Sequence, residues 1–184
     1  MLETGSAVST NAQNILMKVM LDLLIAALVF WVCGYAIAYG ASAGGLIGVT
    51  GFFLGSADVN YGVWFTQWTF LCNTVTIFAG SVAYRTRFMA YCSITVLVSG
   101  LIFPLACHWC WNEAGWLHNL GSNGFQDFSG SGVVHMLGGV VGFVACRRIG
   151  PRIGRYNDDG SVNAMEGHNK PLATLGVFML WFGW

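Results

Sequence analysis

The sequence predicts an all-α polytopic membrane protein. Two observations carry that prediction: apolar runs close to the roughly 20 residues that span a bilayer core, and charges confined to the segments between those runs. The chain is 55% hydrophobic and only 9% charged, where a soluble domain would carry roughly 25% charged residues. Its 8 basic and 8 acidic residues cancel, which gives no footing for a nucleic-acid partner.

The runs follow in order. Residues 14–40 are apolar apart from Lys18 and Asp22, which stand at helical i,i+4 spacing and precede an uncharged stretch, Leu23 to Tyr39. Residues 61–83, 88–112 and 128–146 come next, giving four complete spans. A fifth begins at Pro171 and continues to Trp184 as "PLATLGVFMLWFGW", too short to cross and therefore read as the start of a span. The polar beginning, "MLETGSAVSTNAQ", lacks the basic stretch of a secretory signal.

Alternating spans put the start of the first, the "YRTRF" turn and the long loop from Arg147 to Lys170 on one side. That side holds Lys18, Arg85, Arg87, Arg147, Arg148, Arg152, Arg155 and Lys170, all the basic residues of the chain. By the positive-inside rule it is cytoplasmic. The connections 41–60 and 113–126 contain acidic but no basic residues and are expected outside.

Within this frame "GFQDFSGSGVVHMLGG", Gly124 to Gly139, places Asp127 just before a span and His135 within it. Eight residues of continuous helix would separate the two by about 12 Å along the axis and turn them by about 80° beyond two full turns, too far for direct contact. An aspartate at a helix start accepts bonds from the free N–H groups of the first turn and meets the positive dipole end. A charge role at an outer mouth is the alternative for Asp127. An ionisable side chain inside a membrane segment usually faces a pathway or a partner, and neutral imidazole suits a small hydrogen-bonding solute because one nitrogen donates and the other accepts. A histidine packed between helices is the plainer alternative for His135. Gly138 and Gly142 form a small-xxx-small pattern that admits a neighbouring helix closely.

The strings "DFSGSGVVHMLGG", "GPRIGR", "LATLGVFMLWFGW", "QWTFLCNTVTIFAGSVAYRTRF" and "CHWCW" resemble the ammonium transporter (Amt) branch of the Amt/Rh superfamily, with the likeness strongest to eukaryotic members. It runs from about Gly5 to Trp184 and implies that 1–184 is a partial ammonium transporter domain, lacking the first helix and the later half of an eleven-helix channel fold. By resemblance, Trp111 is the aromatic of the outer vestibule, Asp127 the acidic residue that shapes the recruitment site, Phe70 a gate below it, and His135 the first of two pore histidines. The residues alone leave Trp109 and Trp116 as competing interfacial tryptophans and Phe70 as ordinary packing. The implied partners are ammonium, ammonia and methylammonium, a lipid bilayer, and two further copies in a homotrimer of the plasma membrane. The implied activity is transport of ammonium, deprotonated at the mouth and passed as ammonia. An ammonium sensor and an inactive truncated product are the alternatives.

Other features point away from chemistry. "CHWC" has metal or redox spacing but no second pair and no βαβ setting, so no metal or cofactor is expected, and its His108 is read as interfacial. The glycine-rich "GASAGGLIGVTGFFLG" lacks the lysine of a phosphate loop and the dinucleotide glycine spacing. With no nucleophile beside a base, an enzyme is not expected.

Overall fold

The computed structural model describes residues 1–56, 59–82 and 85–183; the predicted endpoints Ala83 and Trp184 lie outside the described residues. Among these residues the chain is a helical bundle: α1 (Leu2–Gly5), α2 (Ser9–Tyr39), α3 (Tyr61–Val82), α4 (Phe88–Trp111), α5 (Ser131–Ile149) and α6 (Lys170–Gly183), with a short antiparallel pair, β1 (Ser42–Ala43) and β2 (Ile47–Gly48). Helices α2, α4 and α5 are long and apolar enough to cross a membrane by length and composition. Helix α3 is 22 residues long and more polar. Its Thr66, Asn73, Thr74 and Thr76 side chains donate to the carbonyls of Gly62, Thr69, Phe70 and Cys72, one turn back. A hydroxyl or amide that returns to its own helix needs no water, so such residues are tolerated where a bilayer supplies none.

Helices α2 and α4 are each interrupted by a wider π turn, Phe30–Gly34 and Val98–Ile102, and α5 opens with a third, Ser131–Met136. The second directly precedes Pro104, whose missing N–H and bulky ring disturb a regular helix. The first two π turns pack on each other at glycines. A Cβ on Gly34 would lie 2.8 Å from the Ser99 carbonyl oxygen, and one on Gly100 would lie 2.9 Å from a Val29 methyl.

Lys18 and Asp22 sit inside the bundle, 2% and 0% exposed. Asp22 accepts hydrogen bonds from the Tyr91 hydroxyl and, at 2.9 Å, from Thr95 Oγ1, both on α4. Lys18 Nζ donates to the Thr86 carbonyl at 3.2 Å and stands 5.1 Å from the Tyr91 ring centre. Charges buried in apolar surroundings demand such partners, and here they lock α2 to α4.

Helix α5 lies against α3 through the expected glycine pair: a Cβ on Gly138 would meet the Thr74 carbonyl at 2.9 Å, and one on Gly142 would meet Ser81 Oγ at 2.6 Å. Contact this close is what holds helices together where lipid is as apolar as the side chains. Contacts also gather the basic segments at one end of the bundle. Lys18 reaches Thr86 in the turn after α3, while Arg85 donates to Ser81 O, to Cys146 Sγ and, across the α5 terminus, to Gly150 O.

Replacing Gly138 by leucine would force this side chain into the α3 backbone and should cost on the order of 1–3 kcal/mol. Thermal unfolding in detergent reads the loss, and an unchanged midpoint would contradict close α3–α5 contact.

Candidate functional site

At the opposite end of the bundle the loop between α4 and α5 is built around one carboxylate. Asp127 Oδ1 accepts from the N–H groups of Gly130 and Ser131 at 2.7 and 2.8 Å, and Oδ2 accepts from those of Gly132 and Val133, both at 2.8 Å. All the orphan donors of the first turn of α5 are thereby met. Desolvation pushes this carboxyl toward its neutral form, but the four backbone donors outweigh it and hold the pKa below the usual value. The cap needs a tight reversal ahead of the helix, and Gly130 supplies it at φ 89°, where a Cβ would also lie 2.5 Å from a Val134 methyl.

The helix that this cap starts differs from the predicted 128–146: it runs Ser131–Ile149 and opens as a π turn, Ser131–Met136. The residues between Asp127 and Ser131 form the cap loop instead of the first helical turn. His135 is therefore the fifth helical residue, nearer the mouth than a span starting at residue 128 would put it.

Trp111 closes the other side of the mouth. It is the last residue of α4, and its indole N–H donates to the Asp127 carbonyl oxygen at 2.6 Å. Its ring meets that of Phe70 on α3, with centroids 5.5 Å apart and planes at 49°. Against Phe70 lies a cavity of ≈ 410 Å³ lined by Phe70, Asn73, Ser129, Ser131, Val134, His135 and Gly183. The four residues singled out from the sequence thus form one connected set: Asp127 fixes Trp111, Trp111 meets Phe70, and Phe70 shares a cavity with His135.

Asn73, which the sequence reading leaves out, lies three residues after Phe70 on the same helical face, and an amide inside a predicted span is the signal that could have found it. The competing tryptophans belong elsewhere: Trp109 and Trp116 stack edge to face at 6.0 Å, and the Trp109 indole donates to Leu46 O. His108, expected at the outer interface, stands in the last turn of α4 and is 0% exposed. One ring nitrogen is 2.8 Å from Ser42 Oγ and the other 2.9 Å from Ala38 O. This histidine ties α4 to the end of α2 and to β1.

Both Asp127 oxygens are engaged, so Asp127→Asn would turn an amide NH₂ on two N–H donors and keep only half of the cap. It should lower stability by about 1–2 kcal/mol, read by thermal unfolding. A depressed folded pKa means the cap stabilises fully above the unfolded carboxyl value of about 3.9 and is lost as pH falls through the lower folded value. The wild-type minus Asp127→Asn difference in stability should therefore shrink only below about pH 4; a difference that vanishes already near neutrality would contradict the cap.

The sequence profile of the Ammonium Transporter Family matches residues 1–184. The chain is similar to the ammonium transporter Amt2 of Archaeoglobus fulgidus, 40% identical over 194 residues that cover 100% of this chain and 41% of that protein. It is also similar to ammonium transporter 1 member 1 of Arabidopsis thaliana, 38% identical over 194 residues covering 100% of this chain and 39% of that one. An archaeal and a plant relative match to nearly the same extent. Among solved structures, a protein described as a Sensor Amt Protein superposes with a TM-score of 0.91 at 40% identity, covering 100% of this chain and 47% of its own. Mep2 of Saccharomyces cerevisiae superposes with a TM-score of 0.77 at 23% identity, covering 92% and 39%, and shares the fold. The chain spans about two fifths of the length of the curated relatives it matches. With a profile match along its whole length and relatives at this identity, the chain belongs to the Ammonium Transporter Family.

Proposed function

We propose that these residues form the outer half of a path for ammonium and ammonia through a multi-pass protein of the plasma membrane, with the basic end of the bundle in the cytoplasm. The observation that carries this reading is the continuity of the set: an indole at the mouth, a phenyl ring against it, and a cavity shared by that phenyl ring and His135. Ammonium is recruited over the Trp111 face beside the Asp127 loop. Tryptophan is the strongest cation–π partner among the side chains, worth about 0.5–2 kcal/mol. A bare cation entering an apolar pore loses its hydration without replacement. Ammonium therefore gives up a proton to water at the mouth, from where the proton returns outside or is relayed, and neutral ammonia passes Phe70 to the imidazole of His135, which in its neutral form offers one donor and one acceptor.

The second pore histidine that the family resemblance implies belongs to the later half of an inverted repeat, and sites in such folds lie between the halves. Methylammonium enters by the same route, and the assembled protein is a homotrimer with one path in each subunit.

Two substitutions test the reading, both followed by methylammonium uptake and ammonium-evoked current in cells without their own ammonium uptake. His135→Ala should change the rate, or the ratio of charge to substrate moved, by about a hundredfold, the low end of the range for loss of one positioned proton-handling group. Unchanged rate and ratio would remove His135 from the path. Trp111→Leu should raise the apparent KM about 2- to 30-fold, the equivalent of the lost cation–π energy, with maximal rate retained. An unchanged KM would make Trp111 a packing residue.

A further inference from the structure

At the basic end of the bundle, two cavities share a wall. The first, ≈ 360 Å³, is lined by Arg85, Arg152, Arg155 and Tyr156, with Pro151 and Met165. The second, ≈ 430 Å³, shares Arg85 and Arg152 and continues over the apolar side chains of Val8, Ile149, Ile153 and Met165. Among the described residues, no acidic side chain lines either one. The whole lies beside the last turn of α5, a helix of membrane-spanning length.

Hydrogen bonds hold Arg85 and Arg155 in place. Arg85 is fixed by Ser81 O, Cys146 Sγ and Gly150 O. Arg155 Nη1 donates to Asn163 O at 2.7 Å, while the Asn163 N–H donates back to Arg155 O at 2.9 Å, closing the loop on itself. A guanidinium matches phosphate oxygens through paired N–H donors, and one already held in position loses less freedom when it binds. Next to this charge, Ile153 is 101% exposed, an apolar side chain with no protein cover.

We propose that the two cavities together bind an anionic phospholipid, with its phosphate among Arg85, Arg152 and Arg155 and an acyl chain along Val8, Ile149 and Ile153. Charge alone would suit any phosphate. The adjoining apolar groove at the end of a candidate span selects an amphiphile, because a free ion would leave that groove wet. The site is separate from the ammonium path and stands or falls independently of it.

The test is native mass spectrometry of the purified chain in detergent, offered equal amounts of dioleoyl phosphatidylglycerol and dioleoyl phosphatidylcholine. The wild type should prefer the anionic lipid for the first bound molecule by about tenfold, as expected for a few basic groups at a lipid phosphate. Arg152→Gln with Arg155→Gln should abolish the preference. Arg152→Lys with Arg155→Lys should keep most of it and shows that the loop tolerates change at these positions. Ile153→Ser should weaken the anionic lipid while leaving every arginine in place. Equal binding of the two lipids by the wild type, or a preference that survives both glutamines, would overturn the proposal. So would displacement of phosphatidylglycerol by an equal concentration of inorganic phosphate, which would reduce the site to an ion site.

Discussion

The Asp127 carboxylate and its four backbone donors are the constraint on which the site depends. They set where α5 begins, and so the height along the bundle at which His135 stands. They also hold still the Asp127 carbonyl to which the Trp111 indole is bonded. A single side chain thereby fixes both ends of the proposed path, the ring that meets the cation and the imidazole that meets the neutral solute. The assignment of Asp127 to a cap and its assignment to the mouth are not in competition. A carboxylate saturated by N–H donors has little left to offer an ammonium ion directly, so in the proposed path its part would be to set the shape of the mouth and the field there.

The rest of the bundle follows from how helices associate without water. Where the surrounding solvent is apolar, burying leucines gains nothing, and helices instead join through close backbone approach and buried polar contacts. Both devices are present. Gly138 and Gly142 bring α5 onto α3, while Gly34 and Gly100 bring the π turns of α2 and α4 together. The Lys18, Asp22, Tyr91 and Thr95 cluster, and the doubly bonded His108, tie α2 to α4 at two heights. The many exposed large apolar side chains, such as Leu28, Phe143 and Trp181, suit a surface that meets lipid or other helices.

Much of this was legible in the residues because the relevant physics is local. Span lengths, the confinement of charge to loops and the aspartate before a glycine-rich helix start each depend on a few neighbouring positions. The gathering of basic residues at one end followed from alternation alone, and the Lys18 and Arg85 bonds agree with it. What was hidden depends on partners distant in sequence or on backbone variants that leave no periodic trace. The cap loop delays the helix to Ser131, which moved His135 toward the mouth. The place of His108 near a helix end is visible in the sequence, whereas its two hydrogen-bond partners, 66 and 70 residues away, are not. The π turns resemble ordinary helix in sequence, with Pro104 the one hint. Asn73 was masked by a helix full of threonines and became notable only when its face proved to be that of Phe70.

The central claim is that Trp111, Phe70 and His135 line one continuous path. The most direct measurement is an experimental high-resolution structure of the protein in a bilayer with methylammonium at saturating concentration. Density for the cation is expected within about 6 Å of the Trp111 ring centre, the reach of a cation–π contact, with an open route past Phe70 to the imidazole. A Trp111 face covered by lipid or by another helix, or a His135 cavity filled by side chains, would contradict it.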